Sequence, residues 1–163
     1  STNVMSTMVS RELFLLWGVV DEEEVLNWAM SNTMRLQPPV FCILSLPAMK
    51  VTHIHFMDGA ERVEVDFDCP MAPVLSTEQE INGAIAAFYP WVLERLYQMV
   101  GEDFYLVFTS IYDIHIHPIS GKVRVETMRD SLAGMNKEIN RRTELLSRQI
   151  YRYNGENGDL AVV

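Results

Sequence analysis

EDFYLVFTSIYDIHIHP, residues 102–118, sets an apolar run, FYLVF, and an alternating one, DIHIHP, on the two sides of a short break. Successive side chains of a strand point to opposite faces, so this pattern reads as two strands turning back on each other. One face then carries Phe104, Leu106, Phe108, Ile114 and Ile116. The other carries Tyr105, Val107, Thr109, Asp113, His115 and His117. Longer segments with helical spacing flank this hairpin. Together they predict an α+β fold of two layers, a largely antiparallel sheet with helices packed on one face. Residues 9–163 are expected to form a single domain behind a frayed, polar segment over residues 1–8.

Downstream, Ser120-Gly121 marks a turn, and Met128, Leu132, Met135 and Ile139 predict a helix over about Glu126–Arg142. The chain closes on a second hairpin pattern, QIYRY, a turn over Asn154–Gly158, and DLAVV. Upstream, Ile81, Ile85, Phe88, Val92, Leu96 and Met99 keep helical spacing through Pro90. This predicts one kinked helix, or two short ones with Pro90 opening the second. Ser76 or Thr77 is its expected cap and Gly101 its stop. The small residues Gly83, Ala84, Ala86 and Ala87 allow close packing.

Nearer the start, Ser10 is expected to cap a short helix over Arg11–Trp17, ended by Gly18. The acidic run Asp21–Glu24 reads as the cap and first turn of another helix, where negative charge is favoured, rather than as a metal site. That helix is expected to reach about Met34, with Val25, Leu26, Ala29 and Met30 turned inward and Trp28 at the margin. Pro38-Pro39 stops it. Residues 40–49 fit either a short strand or a buried loop. Asp58-Gly59 between KVTHIHF and AERVEVDFD predicts a tight hairpin with Ile54 opposite Val63 and His53, His55, Arg62, Glu64 and Asp66 on its polar face.

At 163 residues the chain can bury roughly 70% of the surface it would expose unfolded, enough for a real core. Its 13 basic and 22 acidic residues give a net charge of −9, which argues against nucleic acid as a partner. Arg141, Arg142, Arg148 and Arg152 cluster late and read first as a solvated face. No apolar run approaches the roughly 18 residues of a membrane span, and no signal peptide stands at the start. Cys42 and Cys69 lack metal-type spacing and are expected to be free thiols of a cytoplasmic protein. The absence of an initiator Met suggests a processed or engineered start.

Several segments together resemble a family of unknown function found in gut Firmicutes, itself distantly similar to an uncharacterised bacillary family. They are Trp17-Gly18 before the acidic cap, Ser31–Pro39, Asn82-Gly83-Ala84 through Tyr89-Pro90, Gly101–Ser110, and Leu146-Ser147 through Tyr153. The resemblance spans most of residues 9–160. It implies a bacterial or phage-encoded cytosolic protein, with relatives that extend further at the N-terminus. It carries no activity. Residues 43–69 depart from the family pattern, and His115 and His117 stand where relatives have aliphatic residues.

The chemical signal is that all four histidines fall in two His-x-His pairs, each on one strand face: His53 with His55, and His115 with His117. Two such pairs, or one with Glu64 and Asp66, offer the nitrogen and oxygen ligands that zinc or another transition metal takes. The competing reading is ordinary polar-face residues of half-exposed hairpins. Ser76, Ser110 and Ser120 lack a nucleophile-elbow context, no phosphate-cradling glycine loop is present, and a cysteine–histidine pair has no supporting pattern. No catalytic residue is therefore assigned. The expected function is a non-catalytic interaction or adaptor module that binds a protein partner or itself, as a homodimer, through a sheet face or strand edge, without a cofactor. The alternative is a metal-binding protein or small metal-dependent hydrolase using the histidine pairs.

Overall fold

The computed structural model describes residues 11–18, 21–45, 50–56, 71–138 and 144–163. The expectations for Ser10, the hairpin turn at Asp58-Gly59, its second strand with Glu64 and Asp66, Cys69, and the frayed start lie outside these residues. Among the described residues seven strands form one sheet in the order β2-β1-β3-β5-β4-β6-β7, with every pairing antiparallel. The strands are β1 Pro39–Ser45, β2 Lys50–His55, β3 Val74–Thr77, β4 Phe104–Phe108, β5 Ile114–Pro118, β6 Ile150–Asn154 and β7 Asp159–Val162. The helices are α1 Arg11–Leu16, α2 Glu22–Leu36, α3 Val92–Val100 and α4 Val125–Glu138, with a 3₁₀ helix at Gly83–Phe88. The expected α+β class is what forms.

The β4–β5 hairpin sits near the middle of the sheet with Leu106 opposite Ile116 and Phe108 opposite Ile114. Phe104, Leu106, Ile114 and Ile116 are completely buried, each contributing roughly 1.5–3 kcal/mol of burial free energy. The polar break between the strands satisfies itself. Thr109 Oγ1 donates to the Asp113 carbonyl at 3.1 Å and to its carboxylate, and the Tyr112 N–H donates to Ser110 Oγ at 3.0 Å. The main core lies on this first face, where the 3₁₀ helix, α3 and the inner edge of α2 cover Phe41, Leu75, Phe104, Leu106, Ile114 and Ile116.

The second face corrects the expectation that helices occupy one side only. Val107 and Ile150, paired across β4 and β6, are buried against Met128 and Leu132 of α4. The period-2 pattern of β4 explains this, because Val107 is as apolar as its neighbours and needs its own cover. The sheet is thus helix-covered on both faces around β4 and β6.

Two local expectations are also corrected, and a third is sharpened. Ser76 and Thr77 are strand residues, not helix caps: Ser76 Oγ donates to the Tyr112 carbonyl at 2.8 Å and Thr77 Oγ1 to the Ile81 carbonyl at 3.4 Å. The helical pattern through Pro90 takes the second of its two expected forms, two short helices, with the break beside Pro90 at Trp91, whose left-handed backbone no helix can pass through. Gly83 sits so close to β3 that a Cβ there would meet Ser76 Oγ and the Tyr112 carbonyl oxygen. That contact seats the small-residue segment Gly83–Ala87 on the sheet, as its composition predicts. Finally, Leu26 points outward, and Met30 with Met34 makes the core contact of α2.

Candidate functional site

The strand register decides where the histidines meet. His53 pairs with Cys42, Cys42 with Val74, Val74 with His115, and His115 with Val107. The two His-x-His pairs therefore share one sheet face. Yet β1 and β3 stand between their strands, and three strand spacings amount to roughly 14 Å. The pairs do not converge on a common ion. Among the described residues no three side chains of His, Cys, Asp or Glu cluster as a metal centre.

The two pairs also differ in setting. His53 is exposed, and His55 Nδ1 lies 2.9 Å from Glu78 Oε1 at a half-exposed position just after β3. His115 and His117 instead form the floor of a cleft of about 360 Å³, with ring centroids 6.4 Å apart. The cleft exists because α4 covers the β4–β6 part of the second face and leaves β5 and β3 open beside it. Met128, Met135, Thr127 and Ser131 wall it from α4, and Met71 and Ala72 from the other side. Burial lowers the pKa of both imidazoles. For His115 the nearby Asp113 partly opposes this, while for His117 the neighbouring His115 adds to it and brings the value to about 4. Both rings are neutral at pH 7, each with one donor and one acceptor nitrogen.

Among the described residues no charged side chain lines this cleft. It can hydrogen-bond or ligate through neutral imidazoles. The serines singled out in the sequence are engaged elsewhere. Ser76 is bonded to Tyr112, Ser110 to the hairpin break, and Ser120 to the Glu102 carboxylate. Cys42 is a free thiol whose pKa burial, with Glu80 adding, pushes up to about 11, so it is a poor nucleophile. The cleft residues Met71, Thr127, Ser131 and Met135 were not singled out as a site in the sequence. Their one signal is that Thr127 and Ser131, four apart, flank the apolar Met128-Leu132-Met135 face of the predicted helix.

A second surface stands out at the N-terminal side. Helix α2 is secured at its ends: Asp21 Oδ1 accepts the Glu23 N–H at 2.9 Å, and Gln79 Nε2 donates to the Leu36 carbonyl at 3.2 Å. Along its length, however, no residue is fully buried. Leu26, Trp28 and Leu36 are 60%, 55% and 63% exposed, and Leu16 at the end of α1 and Trp17 just after it are 80% and 60% exposed. The apolar arc of α2 is wider than the strip that Met30 and Met34 lay on the core.

The fold and its surfaces define an antiparallel-sheet α+β domain. The chain belongs to a family of unknown function, DUF5688, whose match covers residues 1–155. No curated protein and no solved structure matches it. Among the described residues no helix is long and apolar enough to cross a membrane.

Proposed function

We propose that this domain is a non-catalytic interaction module that self-associates through the outward apolar arc of α1 and α2. The observation that carries the reading is the exposure of Leu16 and Trp17 at the end of α1 and of Leu26, Trp28 and Leu36 on α2, a helix that buries no complete side chain. Contiguous exposed apolar surface of this kind marks association surfaces. A second copy is favoured as the occupant by charge. Glu22, Glu23 and Glu24 occupy the first turn of α2 and Arg35 the last, so two α2 helices packed antiparallel about a twofold axis bring unlike charges together at both ends. The contact surface differs from the sheet face or edge expected from sequence, because α4 covers much of the second face. The reading extends to a bacterial or phage-encoded cytoplasmic protein, supported by the sequence resemblance and by the free thiol of Cys42.

Light scattering coupled to gel filtration tests it. The wild type is expected to run as a dimer at micromolar concentration, and Leu36→Glu with Trp28→Glu as a monomer. Ala29 lies at the middle of α2, so Ala29→Cys is expected to form a disulfide-linked dimer on mild oxidation. A monomeric wild type, or a dimer indifferent to both substitutions, overturns the reading.

A second reading is favoured by one observation: His115 and His117 share their cleft with the thioethers of Met71, Met128 and Met135. Unprotonated imidazoles with thioethers suit a soft transition metal such as Cu(I) better than zinc. Elemental analysis of purified protein with a chelator control, repeated on His117→Ala, tests this. Metal retained equally by that variant, or no metal bound by the wild type, rejects it.

A further inference from the structure

Helix α4 has a second flank, away from the histidine cleft. Arg129, Ala133, Asn136 and Lys137 follow one another at helical spacing along it and, with Arg148 from the run leading into β6, line a cavity of about 270 Å³. Three of these five residues are cations, and among the described residues no acidic one joins them. Among the described residues none of the three has a carboxylate partner. The contrast with the neighbouring Arg152 is direct, since its guanidinium is engaged by Asp103, with Nη2 2.7 Å from Oδ2. In a chain of net charge −9, three unpaired cations around one cavity are not a consequence of composition. Like charges held together repel, and the arrangement is relieved by an anion between them.

The fourth polar member adds an independent observation. Asn136 Oδ1 is buried with no hydrogen-bond partner. An orphaned buried acceptor is unfavourable and calls for a donor. An alcohol hydroxyl on the ligand supplies one at a position set by its carbon frame, which the P–OH of hydrogen phosphate does not.

We propose that this cavity binds a small hydroxylated phosphomonoester, with Arg129, Lys137 and Arg148 on the phosphoryl oxygens and Asn136 accepting from a ligand hydroxyl. Guanidinium groups match phosphoryl oxygens with two parallel donors, and Lys adds a point charge. The cavity lies just below the roughly 300 Å³ at which small-molecule sites begin, which suits a ligand of sugar-phosphate size and excludes a dinucleotide. Inorganic phosphate shares the phosphoryl chemistry without the hydroxylated body. Nucleic acid is disfavoured because three cations on a strongly acidic chain do not offset its phosphate repeat.

Isothermal titration calorimetry of the intact protein decides this, using glycerol 3-phosphate, glucose 6-phosphate, inorganic phosphate and a single-stranded RNA oligonucleotide, all at matched ionic strength. The expected result is saturable binding of a phosphomonoester, tighter than of inorganic phosphate. Arg129→Gln and Arg148→Gln are each expected to weaken it about tenfold, the loss of one charge-assisted contact. All three cations are exposed, so these variants are expected to keep the wild-type melting temperature, which is measured alongside. Asn136→Leu is expected to erase the preference for the hydroxylated ligand while keeping phosphate affinity. The proposal is overturned by three outcomes: no saturable binding of any phosphomonoester, affinity unchanged in both arginine variants, or RNA bound more tightly than the small molecules.

Discussion

The β4–β5 hairpin and helix α2 use similar apolar residue types and meet opposite fates. In the hairpin Phe104, Leu106, Ile114 and Ile116 have no exposed surface at all, whereas Leu26, Trp28 and Leu36 of α2 keep more than half of theirs. The difference is geometric. A strand offers two faces, each committed by alternation, and both faces of β4 find cover from helices. A helix offers a continuous surface, and its apolar arc can exceed what one flank of a sheet can receive. Apolar content in the hairpin therefore measures folding free energy, and the outward apolar content of α2 does not.

Substitutions on the two sides separate these roles. Phe104→Ala is expected to cost about 4 kcal/mol and Leu106→Ala about 3 kcal/mol in urea denaturation, the range for emptying a fully buried site. Loss of less than about 1 kcal/mol at either position would remove the hairpin from the centre of the core. Gly83→Ala, where a Cβ would meet Ser76 and backbone beside the same strands, is expected to cost about 2–3 kcal/mol.

A pH scan reads the second face of the hairpin. Unfolded His117 takes up its proton near pH 6.5, and the folded chain resists until about pH 4. The unfolded state then binds more protons between those values, so stability is full above pH 6.5 and falls as pH drops toward 4. The part of that fall due to His117 is expected to be on the order of 2 kcal/mol, less than the full shift because the cleft is open to water. A comparison with His117→Gln isolates it, since that variant should lose this segment of the pH profile.

The smallest effect belongs to α2. At concentrations low enough to keep the chain monomeric, Leu36→Ser is expected to change unfolding free energy by no more than about 0.5 kcal/mol. A loss of 2 kcal/mol or more would mean that α2 shares the core after all.

Legibility from sequence follows the same line. Where period-2 alternation was clean, as in residues 114–118, strand and buried face were readable, and the apolar run 104–108 was readable as its partner strand. The terminal hairpin was readable as well, because Asn154–Gly158 is rich in turn residues. The two short helices about Pro90 were readable as one of two alternatives, but the cap at Ser76 or Thr77 was not, because β3 runs through both residues and apolar spacing does not reveal the left-handed backbone at Glu80 and Asn82 that separates strand from helix. The inward face of α2 was misjudged for the opposite reason: the arc was seen, but which edge of it meets the sheet depends on where β1 goes next. The candidate sites were least legible. Spacing within each His-x-His pair was visible, whereas the distance between pairs depends on a strand order that no local pattern encodes. The cavity at Arg129, Lys137 and Arg148 joins residues from two elements, and Arg148 read in sequence as part of a solvated basic face.

The strand order also bears on how the chain reaches this state. Only β4–β5, β6–β7 and β1–β2 join strands that are neighbours in sequence, while β1–β3, β3–β5 and β4–β6 each close a loop of tens of residues. Closing such loops consumes chain entropy before any contact rewards it, and folding slows accordingly. The β4–β5 hairpin is the one local pair that contacts partners on both sides, which makes it the expected nucleus. Stopped-flow refolding should then run on the millisecond-to-second scale, slowed by Leu106→Ala, whereas a truncation in β7 should act on the unfolding rate alone.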